Sequence, residues 1–273
     1  MTLVLVTGGT GHLGQDLVPT LLRQGNRVRV LARSSRRDPT PNPDVERAIG
    51  DLATGQGLQA ALEGVHTVIN AATFSPIARR GGVRPVDFVK SPSEVDVEGT
   101  ERLLAGSRAA NVQHFLHVSI VGLDDASLPY ARVKLRGEQL VRESELPWSV
   151  VRAMPFYYLL ERMLAGLTWL PVWPVPKASF NPVDTSDVAN YLATCALEGP
   201  RGVRDEIGGP EDLSCIEFAR QYQHAHGLHR PILPLLSETT ARGMGFVVSQ
   251  GVRGKLRWSE WLERQNLQMS AAA

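Results

Sequence analysis

The amino-terminal stretch of the chain constrains its fold more than any other part. An apolar run from Leu3 to Val6 is followed at once by glycines, and the next residues place apolar side chains at helical spacing. Between this predicted strand and predicted helix lies the pattern Gly9-x-Gly11-x-x-Gly14. Glycine permits a tight turn, and the first turn of a helix carries unpaired amides and partial positive charge. The stretch therefore predicts a site for the diphosphate of a dinucleotide, with a merely tight strand–helix turn as the alternative.

Composition narrows the classes of protein to consider. The chain has 273 residues, 43% of them hydrophobic, which is enough for one α/β unit with an appendage. A net charge of +1 produces no broad positive potential that would attract nucleic acid or an anionic membrane surface. Cys195 and Cys215 form neither a metal-binding spacing nor a disulfide framework, so we expect a cytoplasmic protein. A strand starting near Leu3 leaves no room for a signal peptide, and prolines interrupt the longest apolar run, Met163–Pro176.

Five further apolar runs predict the remaining strands of a parallel sheet. They are Arg27–Ala32, Val45–Ile49, Val65–Ala72, Phe115–Val121 and Trp148–Arg152. Helical segments between them predict an α/β fold: a Rossmann-type, doubly wound parallel sheet in the order 3-2-1-4-5-6, with a small C-terminal α-rich substrate lobe. We expect residues 1–155 to form the dinucleotide-binding domain and residues 156–273 the lobe, interleaved into one compact unit.

The residues after the second strand bear on the choice of cofactor. Arg33 lies about 20 residues beyond the last glycine, where an acidic residue would bind the ribose 2′-hydroxyl of NAD. An arginine suits a 2′-phosphate instead, and Arg36 adds positive charge. NADP(H) is therefore the expected cofactor. NAD(H) is the alternative because Asp38 is close by, and an ordinary solvated basic loop would also explain the cluster.

Later segments extend the predicted cofactor site. Asp51 and Leu52 follow the third strand, where they would contact adenine, and the small residues Ala71 to Thr73 would let the ribose approach the backbone. The loop 74–92 contains several basic residues and is interpreted either as an anion-binding lid or as a solvated loop.

The pair Tyr130 and Lys134 supplies candidate chemistry. Four residues apart on a helix, a phenol and an ammonium lie on one face. A nearby cation favours the phenolate, so we expect Lys134 to lower the pKa of Tyr130 and to make it a general acid or base. Such a pair is common by chance, and its position after the fifth strand is what makes it informative.

These motifs together resemble the short-chain dehydrogenase/reductases, in their extended and atypical branch, with the NmrA-like NAD(P)-binding proteins as the most similar group. The matching segments are 7–14, 50–52, 70–72, 95–100, 117–119, Tyr130-x-x-x-Lys134, 152–156 and 183–189. The resemblance implies catalytic roles for Tyr130, Lys134 and Ser119. Motifs and resemblance together give these expected cofactor contacts: Gly8, Thr10, Gly11, His12, Leu13, Gly14, Arg33, Arg36, Asp51, Leu52, Ala71, Ala72, Thr73, Lys134, Pro155 and Phe156.

The leading functional hypothesis is an NADP(H)-dependent oxidoreductase that transfers hydride to or from a carbonyl, alcohol or quinone-like small molecule. Tyr130 would move the proton, and Ser119 or Thr73 would hold the substrate oxygen. Two alternatives stay open: a sugar-nucleotide epimerase-like enzyme, and a non-catalytic NmrA-like protein that senses dinucleotide and regulates a protein partner. Ser119 precedes Tyr130 by fewer residues than in catalytically active members, which keeps the second alternative in view.

The C-terminal half predicts the substrate class less directly. Trp169, Trp173 and neighbouring prolines form a stiff apolar segment that would either wall a pocket for an apolar or aromatic substrate or plug the core. His224, His226 and His229 lack a carboxylate or cysteine at ligand spacing, so no metal is expected.

Overall fold

A parallel sheet forms the centre of the molecule. The computed structural model describes residues 2–34, 42–74, 92–123, 129–235 and 251–272. Each of the six predicted strands is present, with ends shifted by a few residues at most. They are β1 (Leu3–Thr7), β2 (Arg27–Ala32), β3 (Val45–Ile49), β4 (Thr67–Asn70), β5 (His114–Ile120) and β6 (Trp148–Ala153).

The order of the strands confirms the doubly wound topology. Two strands of the C-terminal half, β9 (Arg204–Gly208) and β12 (Val252–Arg253), extend the sheet beyond β6. Across the sheet the order is β12-β9-β6-β5-β4-β1-β2-β3, and every pairing in it is parallel. The order reverses between β1 and β4, where ligands bind in this architecture. The domain boundary at residue 155 stays a prediction.

Helices cover both faces of the sheet. They are α1 (His12–Arg23), α2 (Leu58–Leu62), α3 (Glu98–Ala109), α4 (Pro129–Arg142), α5 (Tyr157–Ala165), α6 (Thr185–Glu198), α7 (Cys215–Ala225) and α8 (Trp258–Ala272). Side chains cap the starts of two helices: the Asp184 carboxylate accepts a hydrogen bond from the Ser186 amide at α6, and Ser214 and Glu217 form a capping box at α7. No helix among the described residues has the length and apolar composition needed to cross a membrane.

Two apolar cores lie on opposite faces of the sheet. One joins α1 and α6 to the C-terminal helices and contains Leu17 and Trp258, and the other packs α2 and α3 around Phe115. Trp173, on the short strand β7 (Trp173–Pro176), is completely buried against the ring of Tyr222, whereas Trp169 is 79% exposed. Trp173 is therefore a core plug and not a pocket wall.

Short strands complete the lobe. β7 pairs with β11 (Ile232–Leu235), and β8 (Ser179–Phe180) pairs with β10 (Leu213–Ser214).

Candidate active site

A cavity of about 540 Å³ opens at the carboxyl ends of the central strands. It brings together most of the predicted site residues. Those that line it are Gly8, Thr10, Gly11, His12, Leu13, Arg33, Asp51, Leu52, Ala71, Ala72, Thr73, Ser119, Tyr130, Lys134, Pro155 and Phe156. Gly14 lies inside α1 and not on the cavity wall, and Arg36 and most of the basic loop 74–92 lie outside the described residues.

The glycine-rich turn is shaped for close backbone contacts. Gly8 has a φ of +73°, and a Cβ at that position would lie 2.8 Å from the backbone of Ala71. A Cβ on Gly14 would overlap the backbone of Gly9, so the turn and α1 pack together only without side chains. The amide of Gly11 donates to the carbonyl of Gly8 at 2.9 Å and closes the turn.

The amino terminus of α1 is prepared for an anion. Its N-cap, Gly11, supplies no side-chain hydrogen bond, and the first turn contains no acidic residue. The first amides of the helix therefore face the cavity together with the positive end of the helix dipole. This arrangement fits the diphosphate of a dinucleotide.

The expected adenosine end lies on the side of the cavity formed by β2 and β3. Arg33 and Asp51 come close together because Ala32 pairs with Ile49 in the register of these two strands. Arg33 is exposed at the rim, and one carboxylate oxygen of Asp51 accepts the amide of Ala53 at 2.9 Å.

The opposite end of the cavity holds the candidate catalytic groups. Tyr130 and Lys134 lie one turn apart at the start of α4, and Ser119 lies near the end of β5. The Ser119 hydroxyl is buried and has no hydrogen-bond partner within the described part of the chain. It is therefore free to bind a substrate oxygen.

Lys134 is part of a buried ion pair that the sequence analysis did not anticipate. Its ammonium lies 2.8 Å from the carboxylate of Asp96, and each side chain is only 4% exposed. Asp96 also accepts the Thr73 hydroxyl and the Phe74 amide, each at 2.8 Å. The Thr73 proton is thus already engaged, which leaves Ser119 as the better of the two proposed oxygen-binding groups.

The two partners stabilise each other's charge. Burial alone would raise the pKa of Asp96, but the Lys134 ammonium and the hydrogen bonds outweigh it, and the pKa is lowered. Burial alone would lower the pKa of Lys134, but the charge of Asp96, with smaller effects of Tyr130 and Glu138, outweighs it, and the pKa is raised. Both groups are therefore ionised at neutral pH, and the positive charge of Lys134 in the cavity wall is balanced by the negative charge of Asp96.

A buried polar network lies beneath the cavity. The amide side chain of Asn70 accepts the Thr7 hydroxyl at 2.7 Å and donates to the Thr100 hydroxyl at 3.1 Å. It also lies 3.2 Å from Nδ1 of His117. Burial, with the nearby Lys134 charge, lowers the pKa of His117 to about 4, so the imidazole is neutral. The network ties β1, β4, β5 and α3 together below the candidate site.

An aromatic stack closes one side of the cavity. The centre of the His12 ring lies 4.0 Å from that of the Tyr158 ring, and the centre of the Phe156 ring lies 5.8 Å from that of Tyr158. Arg162 of α5 places its guanidinium 3.4 Å from Nε2 of His12 and 5.7 Å from the centre of the Tyr158 ring. Tyr158 and Arg162 carry no motif, so no sequence signal identified them.

Known proteins support the resemblance inferred from the sequence. The model of the NAD(P)H-binding family matches residues 8–197. The photosystem II assembly factor Ycf39 of Trieres chinensis is 26% identical over 273 residues, covering 96% of this chain and 82% of that protein. A (4-alkanoyl-5-oxo-2,5-dihydrofuran-3-yl)methyl phosphate reductase of Streptomyces griseus is 28% identical over 243 residues, covering 84% of this chain and 75% of that protein.

A solved structure shows the same fold. MoeE5 in complex with UDP-glucuronic acid and NAD superposes with a TM-score of 0.77 at 21% identity, covering 99% of each chain. Since the family match spans more than half of the chain and agrees with the fold and the glycine-rich turn, the chain belongs to the NAD(P)H-binding family of Rossmann-fold proteins related to the short-chain dehydrogenase/reductases.

Proposed function

We propose that the protein is an NADP(H)-preferring oxidoreductase that interconverts a carbonyl and an alcohol, or reduces a quinone-like group, on an apolar or aromatic small molecule. One observation carries the proposal: a single cavity joins the uncapped amino terminus of α1 to Ser119, Tyr130 and Lys134. The first part suits a dinucleotide and the second suits proton transfer at an oxygen.

The chain's own residues have distinct roles in this reaction. A nicotinamide held in this cavity would supply or accept hydride at its C4 atom. The Ser119 hydroxyl donates a hydrogen bond to the substrate oxygen, and the Tyr130 phenol gives that oxygen a proton during reduction or removes it during oxidation. Lys134, held by Asp96, keeps a fixed ammonium one helical turn from the phenol. One hydride and one proton together convert the carbonyl to the alcohol.

The wall of the Tyr130 end supports an apolar substrate. The described residues that line it beside the catalytic groups are Phe74, Val95, Val118, Met154, Phe156, Tyr158 and Leu159. Among the described residues at this end of the cavity, Lys134 is already paired with Asp96, so its ammonium is not free to bind the diphosphate of a sugar nucleotide. An apolar carbonyl compound therefore fits better than the substrate of an epimerase.

Arg33 supports the preference for NADP(H). It is exposed at the rim of the cavity and next to Asp51, where a 2′-phosphate would be reachable. Arg33→Ser should weaken NADPH more than NADH in a fluorescence titration. Equal weakening of both would contradict the assignment, and NAD(H) would then be the better candidate.

A second candidate is a dinucleotide-sensing protein without turnover. Its support is the neutralised ammonium of Lys134 and the similarity to Ycf39, which is named as an assembly factor. This candidate predicts that NADPH binds and alters binding of a protein partner, while no carbonyl compound or quinone oxidises it.

The decisive experiment compares Tyr130→Phe with wild type in two assays. Oxidation of NADPH across a panel of apolar aldehydes, ketones and quinones should fall at least ~100-fold, because one proton donor is removed. The Kd of NADPH should stay within about twofold. The matched control is Tyr222→Phe, which removes a hydroxyl from the buried core outside the cavity and should leave both assays unchanged. If the wild type oxidises NADPH and Tyr130→Phe is equally active, the assigned role is wrong.

The proposal includes a cytosolic location, which the two free thiols of Cys195 and Cys215 support.

A further inference from the structure

An apolar patch, formed by Trp169, Val172, Leu233 and Leu235, lies on the surface of the C-terminal lobe and outside the cavity. Each of the four residues is between 41% and 79% exposed. Neighbouring exposed apolar side chains mark surfaces that contact a partner or a membrane. We propose that this apolar patch docks the protein on an anionic lipid bilayer. The inference does not depend on the proposed function.

The pairing of β7 with β11 brings the patch together. Successive residues of a strand face opposite sides. Trp173 is completely buried, so the residues on either side of it, Val172 and Pro174, point outward. Leu233 pairs with Pro174 in the register of the two strands, and Leu235, two positions further on, faces the same side. The outer side of this strand pair is therefore apolar.

Trp169 precedes β7 and is presented by a series of tight turns. The amide of Thr168 donates to the carbonyl of Ala165 at 3.2 Å, and the amide of Leu170 donates to the carbonyl of Leu167 at 2.9 Å. The Thr168 hydroxyl also donates to the Ala165 carbonyl, at 2.8 Å. The backbone thus holds a large exposed indole in place. An indole combines an apolar ring with an N–H donor, which suits the boundary between lipid headgroups and acyl chains.

The two segments that form the patch carry only basic charges. Residues 162–183 and 218–235 contain no aspartate or glutamate. Arg230 lies just before β11, at one end of the strand pair, and Lys177 lies just after β7, at the other end. Both are exposed, and neither forms an ion pair with any residue of the described ranges. Despite a net charge of only +1, the patch therefore has two cations at its rim that would attract anionic headgroups.

Two features favour a bilayer over a protein as the occupant. Five prolines deprive this surface of amide donors: Pro171, Pro174, Pro176, Pro231 and Pro234. Protein interfaces need regular hydrogen bonds, and strand addition needs free amides at a sheet edge, whereas acyl chains need neither. A second copy on the same patch would also bring the cations of both copies together, which is unfavourable.

The first test is sedimentation with vesicles of phosphatidylglycerol and phosphatidylcholine in equal parts, and with vesicles of phosphatidylcholine alone. The wild type should bind the mixed vesicles more tightly, and less tightly as salt increases. Trp169→Gln should weaken this binding about 10-fold, because a large apolar contact is lost. The double variant Lys177→Gln/Arg230→Gln should weaken it about 30-fold, at about fivefold for each charge.

Matched controls remove equivalent side chains from other surfaces. Leu267→Gln replaces an apolar residue of α8 that is 71% exposed, and Arg142→Gln/Lys255→Gln removes one arginine and one lysine outside the two segments. Both controls should bind the mixed vesicles within twofold of wild type. All of these positions are exposed, so the melting temperatures should stay nearly unchanged.

Fluorescence locates the contact directly. Of the five tryptophans, Trp169 is the most exposed, whereas Trp173 and Trp258 are completely buried. Lipids with brominated acyl chains should therefore quench the emission of the wild type and leave that of Trp169→Gln nearly unchanged.

The results separate the possible occupants. Binding that both patch variants lose and both controls keep, together with quenching of Trp169, supports the proposal. Absence of binding to the mixed vesicles, or equal binding by wild type and the patch variants, would overturn it and make an acidic protein surface the better occupant. A dimer that Trp169→Gln dissociates in analytical ultracentrifugation, without vesicle binding, would assign the patch to a second copy and overturn it as well. NADPH affinity should be the same in wild type and every variant, so a negative result here leaves the proposed function intact.

Discussion

Replacing Asp96 with asparagine tests the electrostatics of the candidate site most sharply. The substitution keeps the size of the side chain but removes its charge. In the wild type that charge neutralises Lys134, and both side chains are 4% exposed. The substituted amide would leave an ammonium inside the protein without a counter-ion, while its carbonyl oxygen would still accept one of the two hydrogen bonds from Thr73 and Phe74.

The cost at pH 7 can be bounded. Removing one partner of a buried ion pair typically destabilises a protein by about 3–5 kcal/mol. Lys134 can escape part of the penalty by losing its proton. Holding a lysine with an ordinary pKa of about 10.4 neutral at pH 7 costs about 4.6 kcal/mol, at about 1.4 kcal/mol for each pH unit. The two routes have similar costs, so we expect a loss of about 3–5 kcal/mol.

The pH dependence provides a signature that simple misfolding would lack. In the wild type, the pKa of Asp96 is lowered on folding, so its stabilising effect is lost only at acidic pH, as pH falls through the folded pKa. The pKa of Lys134 is raised on folding, so its stabilising effect is lost only at alkaline pH, as pH rises through the folded pKa. The pair should therefore leave the free energy of unfolding independent of pH between pH 6 and 9. In Asp96→Asn, the charged and neutral forms of buried Lys134 cost about the same near pH 7. Above that pH, Lys134 is neutral in the folded state and protonated in the unfolded state, so stability should rise by up to about 1.4 kcal/mol per pH unit.

The assay is urea unfolding, followed by far-UV circular dichroism, of wild type, Asp96→Asn, Lys134→Met and the double variant across this pH range. The double variant should lose much less than the sum of the two single variants, because it leaves no unpaired charge. A loss below about 1 kcal/mol in Asp96→Asn, or a stability difference from wild type that is independent of pH, would refute the buried pair.

Three further predictions follow from local geometry. Gly14→Ala should lower the free energy of unfolding by about 1–3 kcal/mol in a thermal melt and weaken NADPH binding, because its Cβ would overlap the backbone of Gly9. Unchanged stability and affinity would contradict the packing of the turn. Ser214→Ala should cost about 1 kcal/mol, because the capping box with Glu217 is lost, and should leave NADPH affinity unchanged; an altered affinity would count against a purely local effect. His117 has a folded pKa of about 4 against about 6.5 unfolded, so the unfolded state binds the extra proton, and this residue should contribute a loss of stability of up to about 3 kcal/mol as pH falls from 6.5 to 4. His114, whose pKa burial likewise lowers to about 4, should contribute a separate loss over the same range. His117→Gln should therefore reduce the slope of the urea-derived stability profile there, and an unchanged slope would show that His117 does not contribute to it.

The sheet was predictable because buried parallel strands leave a strong pattern. Runs such as 27–32 and 115–121 are apolar enough to be recognised singly, and their alternation with helices determines the order of the central six strands. β9 was not predicted because its sequence, 204–208, contains one aliphatic side chain, Ile207, and becomes a strand by pairing with β6. Tertiary contacts decide such edge segments.

The site was predictable where function depends on spacing and unpredictable where it depends on distant contacts. The glycine-rich turn and the pair Tyr130 and Lys134 each lie within a few residues of sequence. Asp96, however, meets Lys134 only because α4 packs beside the start of α3, and Arg162 meets His12 from 150 positions away. The ion pair of Lys134 with Asp96 was not predicted, because the sequence around a carboxylate does not indicate which distant side chain tertiary packing will bring to it.

Calorimetric titration of the protein with NADPH tests the central claim most directly, namely that the glycine-rich turn and α1 hold a dinucleotide. We predict a 1:1 complex that binds NADPH more tightly than NADH, and a large loss of both affinities in Gly14→Ala. Absence of binding heat for both cofactors, confirmed by unchanged tryptophan fluorescence and melting temperature at millimolar concentration, would contradict the account.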